Sequence, residues 1–354
     1  MKRLIVLSLT CMIVFFAFIC CSATCGTAGV DPGEYLKGRN IRVVIGSTSV
    51  TGDTYQTADL VSRFISEKYN CNIKVDPIGA GRALEEIVTT KGKGDTIMMF
   101  HDMTYLGVLF GAFDEDDYKL ENMVVGGAFG YNPGDCFAAS ASAHYATIKE
   151  MADWMKANPK EIVKLAVEAG GVSQLGFNSI YEWIRETYGE DVSSRLKAFV
   201  TGSTQEKLQA LWDGNCQGIY AATTSVKEYT LDGVDMQLKV NVIGLMAGKR
   251  IEGEDWPTFA EQGITIAGEP YNFTKEYYVF YPINIDADYV AAMDAAFEAV
   301  CNSQEYINAM KKLGYEAQFL NSAEATKSIY KKRDTFAELI KNAPNFDDLV
   351  DDNP

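Results

Sequence analysis

Residues 41–69 read IRVVIGSTSVTGDTYQTADLVSRFISEKY, and this stretch decides the fold. Its first five residues, 41–45, form a short β-branched run closed by Gly46, the pattern of a buried strand. From Thr57 to Tyr69 the apolar residues Leu60, Val61, Phe64 and Ile65 recur at helical spacing, so a helix follows. Between them lies a small, hydroxyl-rich loop, residues 47–54. Strand, polar loop and amphipathic helix in that order predict an α/β chain with mostly parallel sheets.

The alternation continues outward from there. Strands are predicted at 72–75, 96–100, 123–129, 136–140, 162–167, 196–200, 218–222, 240–246 and 277–281, with helices between them. Capping boxes open two of those helices, Thr147 with Glu150 and Ser203 with Glu206. The C-terminal third carries helices at 288–302, 303–313 and 322–341 with few strands, and is expected to wrap a sheet already built. The end of the chain, with Asp347, Asp348, Asp351 and Asp352, reads as a solvated, poorly ordered tail.

Bulk composition sets limits. A chain of 354 residues, 47% hydrophobic and 23% charged, can bury a sizeable core and divide into two lobes. Its 48 acidic against 32 basic residues give a net charge of −16, which repels a polyanion and excludes nucleic acid as a partner.

Lys2 and Arg3 precede an apolar run, residues 4–21, and small residues follow, which is the layout of an export signal spanning residues 1–25. The mature chain is therefore expected outside the cytoplasmic membrane; an uncleaved anchor is the structural alternative. Cys21 and Cys25 are the two candidates for a lipid anchor. Cys71, Cys136, Cys216 and Cys301 lie far apart, without a C-x-x-C or Cys/His cluster, and read as small buried hydrophobes. Two disulfides among them are the alternative in an exported chain.

Enzymatic equipment is sparse. The two histidines, His101 and His144, form no metal-type pair and flank no nucleophile elbow. Gly79-Ala80-Gly81 lacks the third glycine of a dinucleotide fingerprint and reads as a tight strand-to-helix turn. Residues 114–117, all acidic, lack calcium-loop spacing and read as a solvated turn. No catalytic residue, cofactor or metal is assigned.

Two loops between strand and helix remain. One contains Ser49, Thr51, Gly52, Asp53 and Thr54; the other contains Gly170, Gly171, Val172, Ser173 and Gln174. Such loops offer backbone N–H groups and hydroxyls at a helix N-terminus, where the dipole favours an anion. Each is a candidate carboxylate cradle, with ordinary capped turns as the alternative. Ser203, Thr204, Thr223 and Thr224 are expected nearby, and Arg82 could clamp a carboxylate with its planar fork.

In order and spacing, these segments resemble the TctC or Bug family, the receptors of tripartite tricarboxylate transporters, from about Ile41 to Ile340. The opening strand and hydroxyl loop, the Ile78-Gly79-Ala80-Gly81 turn, the Thr147 helix ending in Asn158-Pro159 and the Gly170-Gly171-Val172-Ser173 loop carry the likeness. So do the segments 208–214, Leu-Gln-Ala-Leu-Trp-Asp-Gly, and 248–259, from Gly-Lys-Arg to Trp-Pro-Thr-Phe. Arg82 stands where the family commonly has glycine. The absence of an acid near Ala221-Ala222 argues against an ammonium-bearing ligand.

The resemblance implies a two-lobed periplasmic-binding-protein fold, the type II Venus flytrap, with two inter-lobe crossings near 130–135 and 248–255. Lobe 1 would comprise residues 30–131 and 251–354, and lobe 2 residues 132–250. It implies a monomeric receptor, not an enzyme, that takes a mono-, di- or tricarboxylate between its lobes and passes it to permease subunits. A ligand sensor for an extracytoplasmic signalling protein and an exported enzyme acting on carboxylates are the rival functions.

Overall fold

The computed structural model describes residues 30–351 apart from Ala267. The export signal and the anchor candidates Cys21 and Cys25 lie outside the described residues, as does Asp352. Strands are numbered along the chain: β1 (Asn40–Ile45), β2 (Asn72–Pro77), β3 (Thr96–His101), β4 (Met123–Asn132), β5 (Asp135–Ser140), β6 (Val163–Val167), β7 (Leu196–Val200), β8 (Gly218–Ala222), β9 (Val240–Met246), β10 (Thr265–Ile266), β11 (Glu269–Pro270), β12 (Lys275–Pro282) and β13 (Glu316–Leu320).

Two separate sheets form the lobes. The first has six strands in the order β13-β4-β12-β3-β1-β2, and the second has five in the order β7-β6-β8-β5-β9. β1 runs parallel to β2 and β3, while β12 lies antiparallel between β3 and β4. In the second sheet β6 is parallel to β7 and β8, and β5 is antiparallel to β8 and β9. The short pair β10-β11 stands apart.

β1 shows why its sequence is apolar without alternation. Val43 and Ile45 pack with Ala58, Val61 and Ile65 of the helix Asp53–Tyr69, whereas Val44 packs with Ala83, Leu84 and Ile87 of the helix Ala80–Thr89. Helices cover both faces over residues 43–45, so those three positions are all apolar, while Arg42 nearer the strand's start reaches Asp76 and Glu86.

The chain leaves the first sheet at Asn132 and enters the second at Asp135. After β9 it stays on the second sheet for longer than the sequence suggests. Leu245 N–H donates to Pro257 at 2.8 Å, Phe259 N–H donates to Leu245 at 2.8 Å, and Gln262 Nε2 donates to Ile243 at 2.9 Å. Phe259 and Tyr271 then meet in the core with tilted rings, centroids 5.0 Å apart. We propose a lobe boundary at residues 271–275, in place of 248–255.

The tail is packed through its apolar residues and Asp351, which corrects its reading as poorly ordered, while Asp347 and Asp348 are exposed as expected. Leu349 is buried, Val350 bridges Ala198 in parallel, Asp351 N–H donates to Ala198 at 2.9 Å, and Asp351 pairs with Lys164 at 3.5 Å. After the helix Ser322–Asn342 the chain thus passes to the second sheet again, a third passage beyond the two expected. Reading the acids alone overlooked Phe346, Leu349 and Val350 between them, and the lysines waiting on the sheet edge.

Cys71, Cys136, Cys216 and Cys301 are all free thiols, the last three buried. Burial pushes the Cys136 and Cys301 thiols far above their ordinary range. Among the described residues no helix is long and apolar enough to cross a membrane.

Candidate ligand-binding site

A cleft of about 880 Å³ opens between the two sheets. Its walls come from the loops that follow β1, β2, β3, β6, β7 and β8, at the carboxyl ends of those strands. In open α/β sheets that edge is where ligands bind.

Gly52, Asp53 and the hydroxyl residues Ser49, Thr51 and Thr54 line one wall. The loop is knitted by its own side chains: Ser47 Oγ accepts from Ser49 N at 3.0 Å, and Ser49 Oγ accepts from Thr51 N at 3.2 Å. Gly52 is the N-cap of the 17-residue helix Asp53–Tyr69 and supplies no side-chain cap, while Asp53 Oδ1 accepts from the first-turn Thr54 N at 2.9 Å.

The facing wall repeats the arrangement. Gly171 is the N-cap of the 17-residue helix Val172–Tyr188, again without a side-chain cap. Other helices are capped by side chains, Thr147, Asp286, Ser303 and Asn321 among them, and so is the cleft helix Thr204–Trp212, by Ser203. An uncapped helix start leaves up to three first-turn N–H groups, with the positive end of the helix dipole behind them. Here a 17-residue helix from each lobe starts on the same space, joined by the shorter helix Ala80–Thr89, which also starts at a glycine, Gly79, without a side-chain cap.

The remaining predicted residues divide. Gly171, Val172, Ser173, Ser203, Thr204 and Thr224 line the cleft, whereas Gly170, Gln174 and Thr223 are buried behind its surface. Gln174 Oε1 accepts from Gly170 N at 2.7 Å, holding the turn that Gly170 makes at φ +77°. Ser173 Oγ accepts from Glu168 N at 2.9 Å and donates to Glu168 O at 3.2 Å, so its hydroxyl is occupied within the loop. Ser203 caps its own helix. Arg82 is exposed and does not line the cleft. The helix begins with Ala80 at the cleft, and two residues of helical rotation turn position 82 to solvent.

Sequence reasoning missed the polar floor. Lys275, the first residue of β12, places Nζ 2.5 Å from Asp53 Oδ2 and 3.3 Å from Asp135 Oδ2. Tyr277 OH donates to Asp53 Oδ2 at 2.9 Å, and Asn132 Nδ2 donates to Asp135 Oδ1 at 2.7 Å. Burial pushes the Asp53 carboxyl up, but Lys275 and His101 beside it prevail and hold it well below the usual carboxylate range. For Asp135 burial prevails, and its pKa is raised despite Lys275. Asp135 also stands opposite Ala222 in the sheet register. The acid absent from β8 is thus supplied by its neighbour, already paired with a lysine.

On the second lobe Lys207, also buried, donates to Tyr220 O at 3.0 Å and pairs with Glu168 at 3.4 Å. The buried charges of the cleft are therefore mixed and mutually paired, while Lys312 and Glu228 line it as exposed charges at its rim. Besides Lys312 at the rim, what it offers an anion is neutral: backbone N–H groups, hydroxyls and one imidazole. A residue opening a strand beside a crossing, as Lys275 and Asp135 do, was the available signal for this floor.

No family model and no curated protein matches the sequence. Solved structures do match. The chain superposes on the periplasmic binding protein BugD with a TM-score of 0.69 at 16% identity, covering 86% of this chain and 97% of that one. An R. palustris protein with adipate gives 0.69 at 15% identity, over 86% and 96% of the two chains. MatC from Rhodopseudomonas palustris with bound malate gives 0.69 at 14% identity, over 85% and 99%. The fold is that of the two-lobed periplasmic binding proteins.

Proposed function

We propose that this chain is an extracytoplasmic solute receptor of the TctC or Bug type, which binds a small organic carboxylate between its lobes and delivers it to the permease of a tripartite transporter. One observation carries the reading: two long helices, one from each lobe, start uncapped at glycines on opposite walls of one cleft. Similar folds with adipate and with malate support a carboxylate as the cargo.

The chemistry is capture by closure. A carboxylate at the Asp53 helix start gains the second set of N–H groups only when the Val172 helix approaches. The ligand therefore binds the closed form more tightly, and shifts the lobes toward it in proportion to that difference. Hydrogen bonds from neutral donors to a desolvated carboxylate supply the affinity. The receptor binds without converting its ligand, works as a monomer and presents its closed shape to the permease.

Lys2-Arg3 and the apolar run after them support export, with a lipid anchor at Cys21 or Cys25 as a variant of it. Native mass spectrometry of the protein purified from its own membrane exterior tests the proposal. A retained acid of a few hundred daltons or less is the expected result. A chain recovered full length from the cytoplasm, or an altered product released from added acids, contradicts it.

A further inference from the structure

We propose that His101 is a ligand-contact residue whose Nε2–H donates to a second oxygen group of the bound acid, so that the site prefers dicarboxylates and hydroxy acids to simple monocarboxylates. The proposal rests on the receptor reading above and names the ligand class more closely.

His101 ends β3 and lines the cleft floor on the first lobe. Its Nδ1 accepts from the Met103 backbone N–H at 3.2 Å, which an imidazole can do only with that nitrogen unprotonated. The ring is packed on Phe100, with centroids 4.6 Å apart, and its orientation is thereby held. Neutral imidazole with Nδ1 accepting must carry its proton on Nε2. Among the described residues no partner takes that proton, and the ring is partly exposed to the cleft. Burial and the nearby Lys275 hold the ring neutral.

A neutral N–H donor has definite consequences for selectivity. It accepts no proton from an ammonium group beside it, and it gains nothing from a methyl group. An anionic or hydroxyl oxygen satisfies it. The first carboxylate of the ligand belongs at the uncapped helix starts, so His101 meets a different atom of the same molecule.

The chain has only two histidines, and His144 is exposed on the other lobe, which makes ¹⁵N-imidazole NMR decisive. Without ligand at neutral pH, His101 should show the Nε2–H tautomer; an Nδ1–H tautomer or an imidazolium overturns the assignment. Titration with succinate, malate and adipate should then shift the His101 Nε2–H resonance of any acid that binds, leaving His144 unmoved. Saturable binding without a change at His101 overturns the proposal and leaves the receptor reading intact. Binding by none of the three acids overturns this assignment, and the receptor reading falls with it only when citrate and butyrate also fail to bind.

Two substitutions add a second readout. His101→Asn keeps an acceptor for Met103 N–H and loses the outer donor, whereas His101→Gln returns a donor near the Nε2 position. His101→Asn should weaken succinate roughly tenfold and butyrate by less than about twofold, with partial recovery in His101→Gln. Equal losses for succinate and butyrate count against the assignment.

Discussion

Lys275 and Asp135 open the two strands that flank the crossings between lobes, and their side chains meet at 3.3 Å on the floor of the cleft. With Asp53 at 2.5 Å from the same Nζ, one buried cation serves a carboxylate from each lobe. Lys275→Met leaves those two acids without a partner in a poorly solvated site. It should destabilise the fold by about 3 kcal/mol or more, as read by urea denaturation. Adding Asp135→Asn should recover part of the loss.

Gly171 and Gly170 should separate binding from folding. A Cβ at Gly171 would meet nothing closer than 3.9 Å, so Gly171→Val should fold normally while its side chain obstructs approach to the helix start. Its affinity for a bound acid should fall by more than about tenfold. Gly170→Ala acts on the fold: φ is +77° and its Cβ would lie 2.8 Å from that of Ala112. It should lose about 1 to 2 kcal/mol of stability.

Ser173→Ala should affect stability before affinity. The hydroxyl is engaged with the Glu168 backbone on both sides, so its removal leaves the Glu168 N–H unpaired, at about 1 kcal/mol. A large loss of affinity with unchanged stability contradicts this role.

His101 predicts a pH dependence with a definite sign. Burial holds its folded-state pKa down at about 3, with Lys275 adding to the effect and Asp53 opposing it. The unfolded chain, with an ordinary pKa near ~6.5, binds the proton first as pH falls. Stability from this group is therefore present above ~6.5 and is lost on acidification, by up to about 1.4 kcal/mol per pH unit until the folded pKa is reached. Asp135 and Asp102, whose carboxyl pKa values are raised by burial, act in the opposite direction. The difference between wild type and His101→Gln isolates the histidine, and should shrink steadily from pH 6 to pH 4 in parallel denaturation curves.

The parts of this molecule that were legible in the sequence are local ones. β1, its hydroxyl loop and its helix follow from contiguous residues, as do the Thr147 and Ser203 caps, because the interactions that form them span a few positions. Lys275, Asp135 and His101 were not legible as a site. Each lies at the end of a different strand, and only the packing of β12 against β3 and β4, with β5 following directly, brings them together. Arg82 lies outside the cleft lining by helical phase, which a motif does not record. β13 was missed because its residues, Glu316–Leu320, are all half-exposed and lack an apolar run.

Isothermal titration calorimetry of the mature protein with succinate, malate, adipate and citrate tests the central claim most directly. The account predicts saturable one-to-one binding of at least one of these acids, abolished or severely weakened in Gly171→Val with its fold intact by circular dichroism. Heat-silent titrations with all four, or an affinity that Gly171→Val leaves unchanged, would contradict a carboxylate site between the two helix starts.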